Sequence, residues 1–485
     1  MNLADPLLRH ARERAHAVAL IYRDRLIRYG QLKVLVWRMA SALRAQGLGP
    51  GDRVGITVQR PVLHVVTMLA LARLGAVQIA MAPTQTAAMR RSIAGRLGLA
   101  AVVRDIASDD DAAPVLVIDP AWLEQRIPAG AATAPGGEAP FMAGTSSGTT
   151  GEPKLFLVSH RMELERAVRD AALFEYLPGE RYASLVDLHF TVSRRRVLYC
   201  LAAGGCVFLP RAGLAPPQLL EEIDRHDVRH ISGTPYHAER ILEHLRGEQP
   251  RLPGLRIFRL GASATSVALQ AAVTRRLTPA IHVVYGCNEA STISGAGPDL
   301  LERVPGTVGR PMAPLEVQVV DDAGRPLPAG ETGLVRVRGP GVIGGYLDDP
   351  EATARSFRDG WFRPGDLASF TPDGLLMHHG RADDMMIFDG INIHPQEIEQ
   401  VLLAHEAVAA AVAFGLDSQR HNQIPAAAVV LRQQVDQRSL TAFCRDRLGA
   451  RMPHRLFVLD ELPRNGQGKV SRKRLAASLG RAAPA

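Results

Sequence analysis

The stretch GTSSGTTGEPK, Gly144 to Lys154, sets glycines and hydroxyl residues between two apolar segments and ends on a lysine. Glycine lets backbone N–H groups come close to an anion, serine and threonine add hydroxyl donors, and the lysine adds a charge. That combination suits a loop that cradles phosphate. The Walker A pattern G-x-x-x-x-G-K-[ST] is absent, because Lys154 follows GEP and precedes Leu155. A flexible surface loop is the plainer alternative for the same composition.

Such a loop needs a frame. LIRYGQL, Leu26 to Leu32, leads into a helical pattern over Leu32 to Gln46 that stops at the Gly/Pro break GLGPGDRV. RVGITV then reads as a short buried strand. The apolar window from Val62 to Pro83 is interrupted by His64, Thr67, Arg73 and Gln78, so it reads as a buried helix and a strand, not a membrane span. This alternation predicts an α/β domain with a mostly parallel sheet. Ile127 to Pro140 is a low-complexity linker just ahead of the loop. From about Gly306, LEVQVVDDAGRPLPAGETGLVRVRG alternates apolar and polar residues around turn signals, the pattern of hairpin-rich β structure. Past Arg381, IHPQEIEQVLLAHEAVAAAVAFG reads as helix then strand. No internal repeat is seen.

With 485 residues the chain exceeds one ordinary core. It is 46% hydrophobic and 22% charged, with a formal net charge of +8 that suits anionic ligands such as nucleotides or coenzymes. No long Lys/Arg run and only 5% aromatic residues argue against nucleic-acid binding. The four cysteines, Cys200, Cys206, Cys287 and Cys444, include no C-x-x-C pair, and the N-terminus has no apolar signal region. A cytoplasmic location is the expectation.

Four further islands follow the loop: YGCNEA (Tyr285 to Ala290), WFRPGD (Trp361 to Asp366), GRADDMMIFDGINIHPQEIE (Gly380 to Glu399) and PRNGQGKVSR (Pro463 to Arg472). In order and spacing the five resemble the adenylate-forming superfamily of acyl-CoA synthetases, peptide-synthetase adenylation domains and luciferases, over essentially the whole chain. The resemblance implies an α/β fold: a large N-terminal domain, 1–382, of parallel-rich sheets with helices and a β-rich subdomain, and a small mobile α+β domain, 383–485. It also implies joining of a carboxylate to ATP with Mg²⁺, release of pyrophosphate, and transfer of the acyl group to a thiol.

Carried over residue by residue, Thr145, Ser146, Ser147, Gly148, Thr149, Thr150, Gly151 and Lys154 handle the β- and γ-phosphates. Gly261, Ala262 and Gly286 line the nucleotide, Tyr285 lies against adenine, and Asp366 and Arg381 reach the ribose or phosphate. Glu289 sits at the metal. Asn288 stands where the family usually has threonine and keeps an amide donor for the α-phosphate. Lys469 bridges carboxylate and α-phosphate, Asp383 is the hinge, and Gly390 and Asn392 face the thiol tunnel. Cys287 reads as a packing residue, because nothing beside it favours a thiolate.

The acid pocket is expected around His189, Phe190, Thr191, Thr234 and Gly261. Amino-acid-activating relatives carry an aspartate where this chain has Thr191, which argues against an α-amino acid. The basic run Ser193 to Arg196 reads as a solvated helix face, with binding of a second carboxylate or a phosphate as the alternative. The acceptor is CoA, or the phosphopantetheine arm of an acyl-carrier protein. A homodimer is left open. An inactive nucleotide-binding regulatory protein is the reading of a different class, and intact Lys469, Glu289 and Asp366 speak against it.

Overall fold

A computed structural model describes residues 1–107, 113–125, 135–146, 154–389, 391–418, 421–465 and 468–480. Two parallel-rich sheets form the body. The larger has nine strands. Its centre, from Ile281–Cys287 across to Val18–Tyr22, is parallel throughout, and antiparallel strands close both edges. The second has six strands and ends in an antiparallel pair, Pro140–Ser146 and Lys154–Ser159, whose connection is the glycine-rich loop. Residues 147–153 of that loop lie outside the described residues.

The main core lies between these sheets, where Val54, Ile56, Phe141, Tyr182 and Val207 are essentially without exposure. Helix Pro61–Leu74 runs through it and is buried on nearly every face. Its sequence is apolar all round, which is what a fully enclosed helix requires. Proline opens it at the first turn, and Gly75, at φ +85°, ends it in the left-handed conformation.

The β-rich region is an antiparallel sheet of six strands with Gly333–Arg338 at its middle. A fourth sheet, of five strands, begins at Met386 and is packed by helices Pro395–Leu403, Gln437–Leu448 and Arg472–Gly480. All four cysteines are free thiols. Among the described residues no helix is long and apolar enough to cross a membrane.

Candidate active site

Strand Ile281–Cys287 is the last parallel strand of the large sheet, and at its C-terminal end it turns back into Ser291–Ala296. A Cβ on Gly286 would lie 2.1 Å from the Ser291 carbonyl oxygen, so the hairpin closes only around glycine. The turn puts Asn288 and Glu289 on the wall of a cavity of about 2660 Å³. Thr145, Ser146 and Lys154, the described ends of the loop, line the same cavity, as do Gly261, Ala262 and Tyr285.

Across from the turn, Asp366 and Arg381 are direct partners on adjacent antiparallel strands. That register sets Arg381 Nη1 3.4 Å from Asp366 Oδ1. The Tyr285 hydroxyl donates to Asp366 Oδ2 at 2.5 Å, and its ring centroid lies 4.9 Å from that of His378. Burial and the nearby carboxylate push the tyrosine hydroxyl well above its ordinary range, so it stays a donor. Arg381 also holds Asp383 through two bonds of 2.9 and 3.2 Å. The expected hinge residue is therefore tied to the nucleotide wall.

Glu289 is 6% exposed, and its Oε1 accepts from the Tyr346 hydroxyl at 3.0 Å. Lys154 Nζ lies 4.8 Å from the centre of the same tyrosine ring, so Tyr346 links the loop lysine to the carboxylate. Among the described residues no cluster of three His, Cys, Asp or Glu side chains forms a metal cage. One protein carboxylate on the wall of a large cavity fits Mg²⁺, which keeps waters and takes other ligands from substrate phosphates. Asn288 Nδ2 donates to the Thr145 carbonyl at 2.8 Å, so one amide hydrogen fastens the turn to the loop. Burial raises the Cys287 thiol well above its usual range, in keeping with a packing role.

Lys469 reaches the cavity from the small domain. Its turn is internally bonded: Asn465 Oδ1 accepts from the Lys469 N–H at 3.0 Å, and the Asn465 carbonyl from the Gly468 N–H at 2.8 Å. The turn sits on helix Pro235–Leu242 of the large domain. Gly468, at φ +79°, lies so close that an added Cβ would fall 2.4 Å from Tyr236 Cβ. Arg464 pairs with Glu239 at 3.3 Å and lies 5.1 Å from the Tyr236 ring centre. Burial pulls the Lys469 pKa below the ordinary lysine value, while the Asp366 carboxylate and the Cys287 sulfur push the other way.

His189, Phe190, Thr191 and Thr234 line the remaining side of the cavity. His189 Nδ1 donates to Asp187 Oδ1 at 2.6 Å, and Thr191 opens helix Thr191–Ala202. That helix overturns the reading of Ser193 to Arg196 as a solvated face, since Arg194, Arg195 and Arg196 are 1–2% exposed. Arg196 pairs with Asp170 at 2.8 Å and Arg195 with Glu163 at 3.1 Å, while Arg194 donates to Gln78 Oε1 and lies 3.1 Å from Met68 Sδ. A buried guanidinium needs partners for its donors, and other buried segments supply them here.

Ser147, Gly148, Thr149, Thr150, Gly151 and Gly390 fall outside the described residues. Asn392 lies in strand Ile391–Ile393, and its side chain also falls outside the description. The sequence reading did not name Tyr346, His378, Tyr236, Glu239 or Arg464. Tyr346, His378 and Glu239 reach the site from distant segments with no local signature, whereas Arg464 stands within the PRNGQGKVSR island and Tyr236 within SGTPYH, Ser232 to His237.

One cavity thus gathers the Asp366–Arg381 wall, the Asn288–Glu289 turn and Lys469, the set expected of an adenylate-forming enzyme. The profile of the AMP-binding enzyme family matches residues 7–347, and that of the AMP-binding enzyme C-terminal domain matches residues 397–469. The chain belongs to the AMP-binding enzyme family. It is 32% identical to a 3-[(3aS,4S,7aS)-7a-methyl-1,5-dioxo-octahydro-1H-inden-4-yl]propanoyl:CoA ligase of Mycobacterium tuberculosis, over 94% of this chain and 95% of that protein. It is 30% identical to a feruloyl-CoA synthase of Amycolatopsis sp., over 96% of each. The fold superposes with a TM-score of 0.88, at 25% identity and 97% coverage of both chains, on o-succinylbenzoate CoA synthetase of Bacillus subtilis bound to its acyl-adenylate intermediate. The chain is an AMP-forming acid–thiol ligase.

Proposed function

We propose that this ligase activates a ring-bearing carboxylic acid and delivers it to free CoA rather than to a carrier protein. The relatives just named carry ring-bearing acyl groups in their names and are CoA ligases. Thr191, which has no charge to pair an α-ammonium, supports a non-amino acid.

In the first step a carboxylate oxygen attacks the α-phosphorus, the bond to the β-phosphate breaks, and pyrophosphate leaves. Two anions must meet, so a fixed cation between them lowers the barrier. The observation that carries this reading is Lys469, brought by the small domain into the cavity that holds Glu289 and Asp366. Its ammonium is the compact charge for that position. Asp366 accepts the ribose hydroxyls, and the Tyr285 and Arg381 contacts fix its orientation. Asn288 offers its second amide hydrogen to the α-phosphate. Glu289 would hold Mg²⁺, which neutralises charge on the phosphates when bound. In the second step the thiol sulfur attacks the acyl carbonyl, AMP leaves, and the thiol proton passes to solvent. For this the small domain turns about Asp383, withdrawing Lys469 and bringing the 390–392 segment toward the thiol.

A pyrophosphate-release screen over aryl, alicyclic, fatty, dicarboxylic and α-amino acids, with CoA or a loaded carrier protein, tests the proposal. The expected result is release with ring-bearing acids and a CoA thioester as product. Robust turnover of fatty or amino acids alone, or transfer only to the carrier, overturns it.

A further inference from the structure

Helix His160–Phe174 is built inside out. Glu163, Arg166, Arg169 and Asp170 are buried at 0–2% exposure, while Val168 is 75% exposed. Beside it lie Arg194, Arg195 and Arg196, also buried. Cations outnumber carboxylates between these two helices. Glu163 takes Arg166 at 3.3 Å, Arg195 at 3.1 Å and the Tyr199 hydroxyl at 2.7 Å, and Asp170 takes Arg196.

Three of these guanidinium groups also donate to backbone carbonyls of one turn. Arg195 Nη1 and Nη2 each lie 3.3 Å from the Asn288 oxygen. Arg166 Nη2 donates to the Glu289 oxygen at 2.7 Å, and Arg169 Nη2 to the Ala290 oxygen at 2.5 Å. The other arms of two of these arginines cross to a second loop, Arg166 Nε to the Gly341 oxygen and Arg169 Nη1 to the Pro340 oxygen, both at 2.7 Å. That loop leads to Tyr346, which donates to the Glu289 carboxylate.

We propose that Arg166 and Arg169, with Arg195, are positioning residues: a buried guanidinium clamp that fixes the Asn288–Ala290 turn so that the Glu289 carboxylate is set for Mg²⁺ before MgATP arrives. The inference rests on the reading of Glu289 as the metal-side carboxylate. Three consecutive carbonyls, each held by a different arginine, leave the turn little freedom. The residue after it, Ser291, is held at φ +62°, a conformation that L-residues adopt at a cost and that these bonds help maintain. Only a planar fork can bridge both loops at once. Lysine keeps the charge beside Glu163, but its three donors share one nitrogen and cannot reproduce the separated, fixed arms of the fork.

Calorimetric titration of the whole chain with ATP, in excess Mg²⁺ and again in EDTA, tests the clamp without any acid substrate. Loss of an outer support of a metal ligand weakens the site by about tenfold or more. Arg166→Lys is expected to raise the MgATP dissociation constant by about that factor and to leave metal-free ATP binding within about twofold. Arg169→Lys, which also loses a two-loop bridge, is expected to behave alike and decides the matter if Arg166→Lys does not fold. Arg194→Lys is the control, because among the described residues the hydrogen bonds of Arg194 go to Gln78 and Met68 and none to the turn. It perturbs the same buried layer and is expected to bind MgATP normally. Equal weakening with and without metal, unchanged binding in both bridge variants, or the same metal-specific loss in Arg194→Lys overturns the clamp. A wild-type chain that binds MgATP but activates no ring-bearing acid refutes the substrate reading and leaves the clamp standing.

Discussion

In the role proposed for it Lys469 acts as a cation, and its buried place disfavours that charge. Burial lowers its pKa against the opposing pull of Asp366 and Cys287, so it loses its proton earlier than an exposed lysine. The sign follows: kcat/KM for adenylation is expected to fall on the alkaline side, with an inflection below the ordinary lysine value of about 10.4. A pH profile of pyrophosphate release reads this directly, and an inflection absent from wild type up to that value removes Lys469 from the role. Lys469→Ala is expected to abolish adenylation yet still convert a supplied acyl-adenylate to the CoA thioester. Loss of both half-reactions contradicts that division. Asp366→Ala removes a buried charged acceptor and is expected to reduce adenylation about ten- to hundredfold, corresponding to about 1.5–3 kcal/mol. A single-turnover assay with saturating acid measures it.

The connecting elements carry their own test. Asp383 was expected to act only as a pivot, but its carboxylate also grips Arg381 beside Asp366. A proline there would both restrict the backbone and release Arg381. Comparing Asp383→Pro with Asp383→Ala separates the two effects, since both lose the grip and only proline stiffens the chain. Adenylation is expected to fall equally in both, and thioester formation from supplied acyl-adenylate to fall further in the proline variant. Equal thioester rates in the two variants remove the pivot.

Much at this scale was legible in the sequence. The Gly/Pro breaks mark the ends of strands and helices, the apolar run over Val62 to Pro83 became helix Pro61–Leu74 and strand Val77–Ala80, and the shift past Gly306 became the antiparallel sheet. The basic run was misread for a physical reason. Charge in a helix ordinarily signals a wet face, and at Arg194 to Arg196 the partners that reverse this come from segments far along the chain. Glu163, Arg166 and Asp170 do stand at the i, i+3, i+7 spacing of an inward stripe. With charged residues in those places the spacing was readable only once their partners were known. Tyr346 was hidden because its pairing with Glu289 joins two loops that share no local pattern.

At the scale of the whole molecule, the lysine turn is held on the large domain by the Arg464–Glu239 pair and by Gly468 resting on Tyr236. Arg464→Ala is expected to loosen this docking and slow adenylation severalfold while sparing the second half-reaction. A partly exposed pair of this kind is worth only about 1 kcal/mol or less. Stopped-flow measurement of both half-reactions checks it, and an equal loss in each argues against a docking role.

The seating of Gly468 has a further consequence, for leakage. An acyl-adenylate is a mixed anhydride that water destroys, and if it forms beside Lys469 as proposed, a turn fitted so tightly against Tyr236 would act as a stopper. A side chain at Gly468 would hold the stopper ajar. Gly468→Ala should then spend ATP without making thioester, visible as AMP formed in excess of acyl-CoA. AMP and acyl-CoA formed in equal amounts by that variant would remove the stopper.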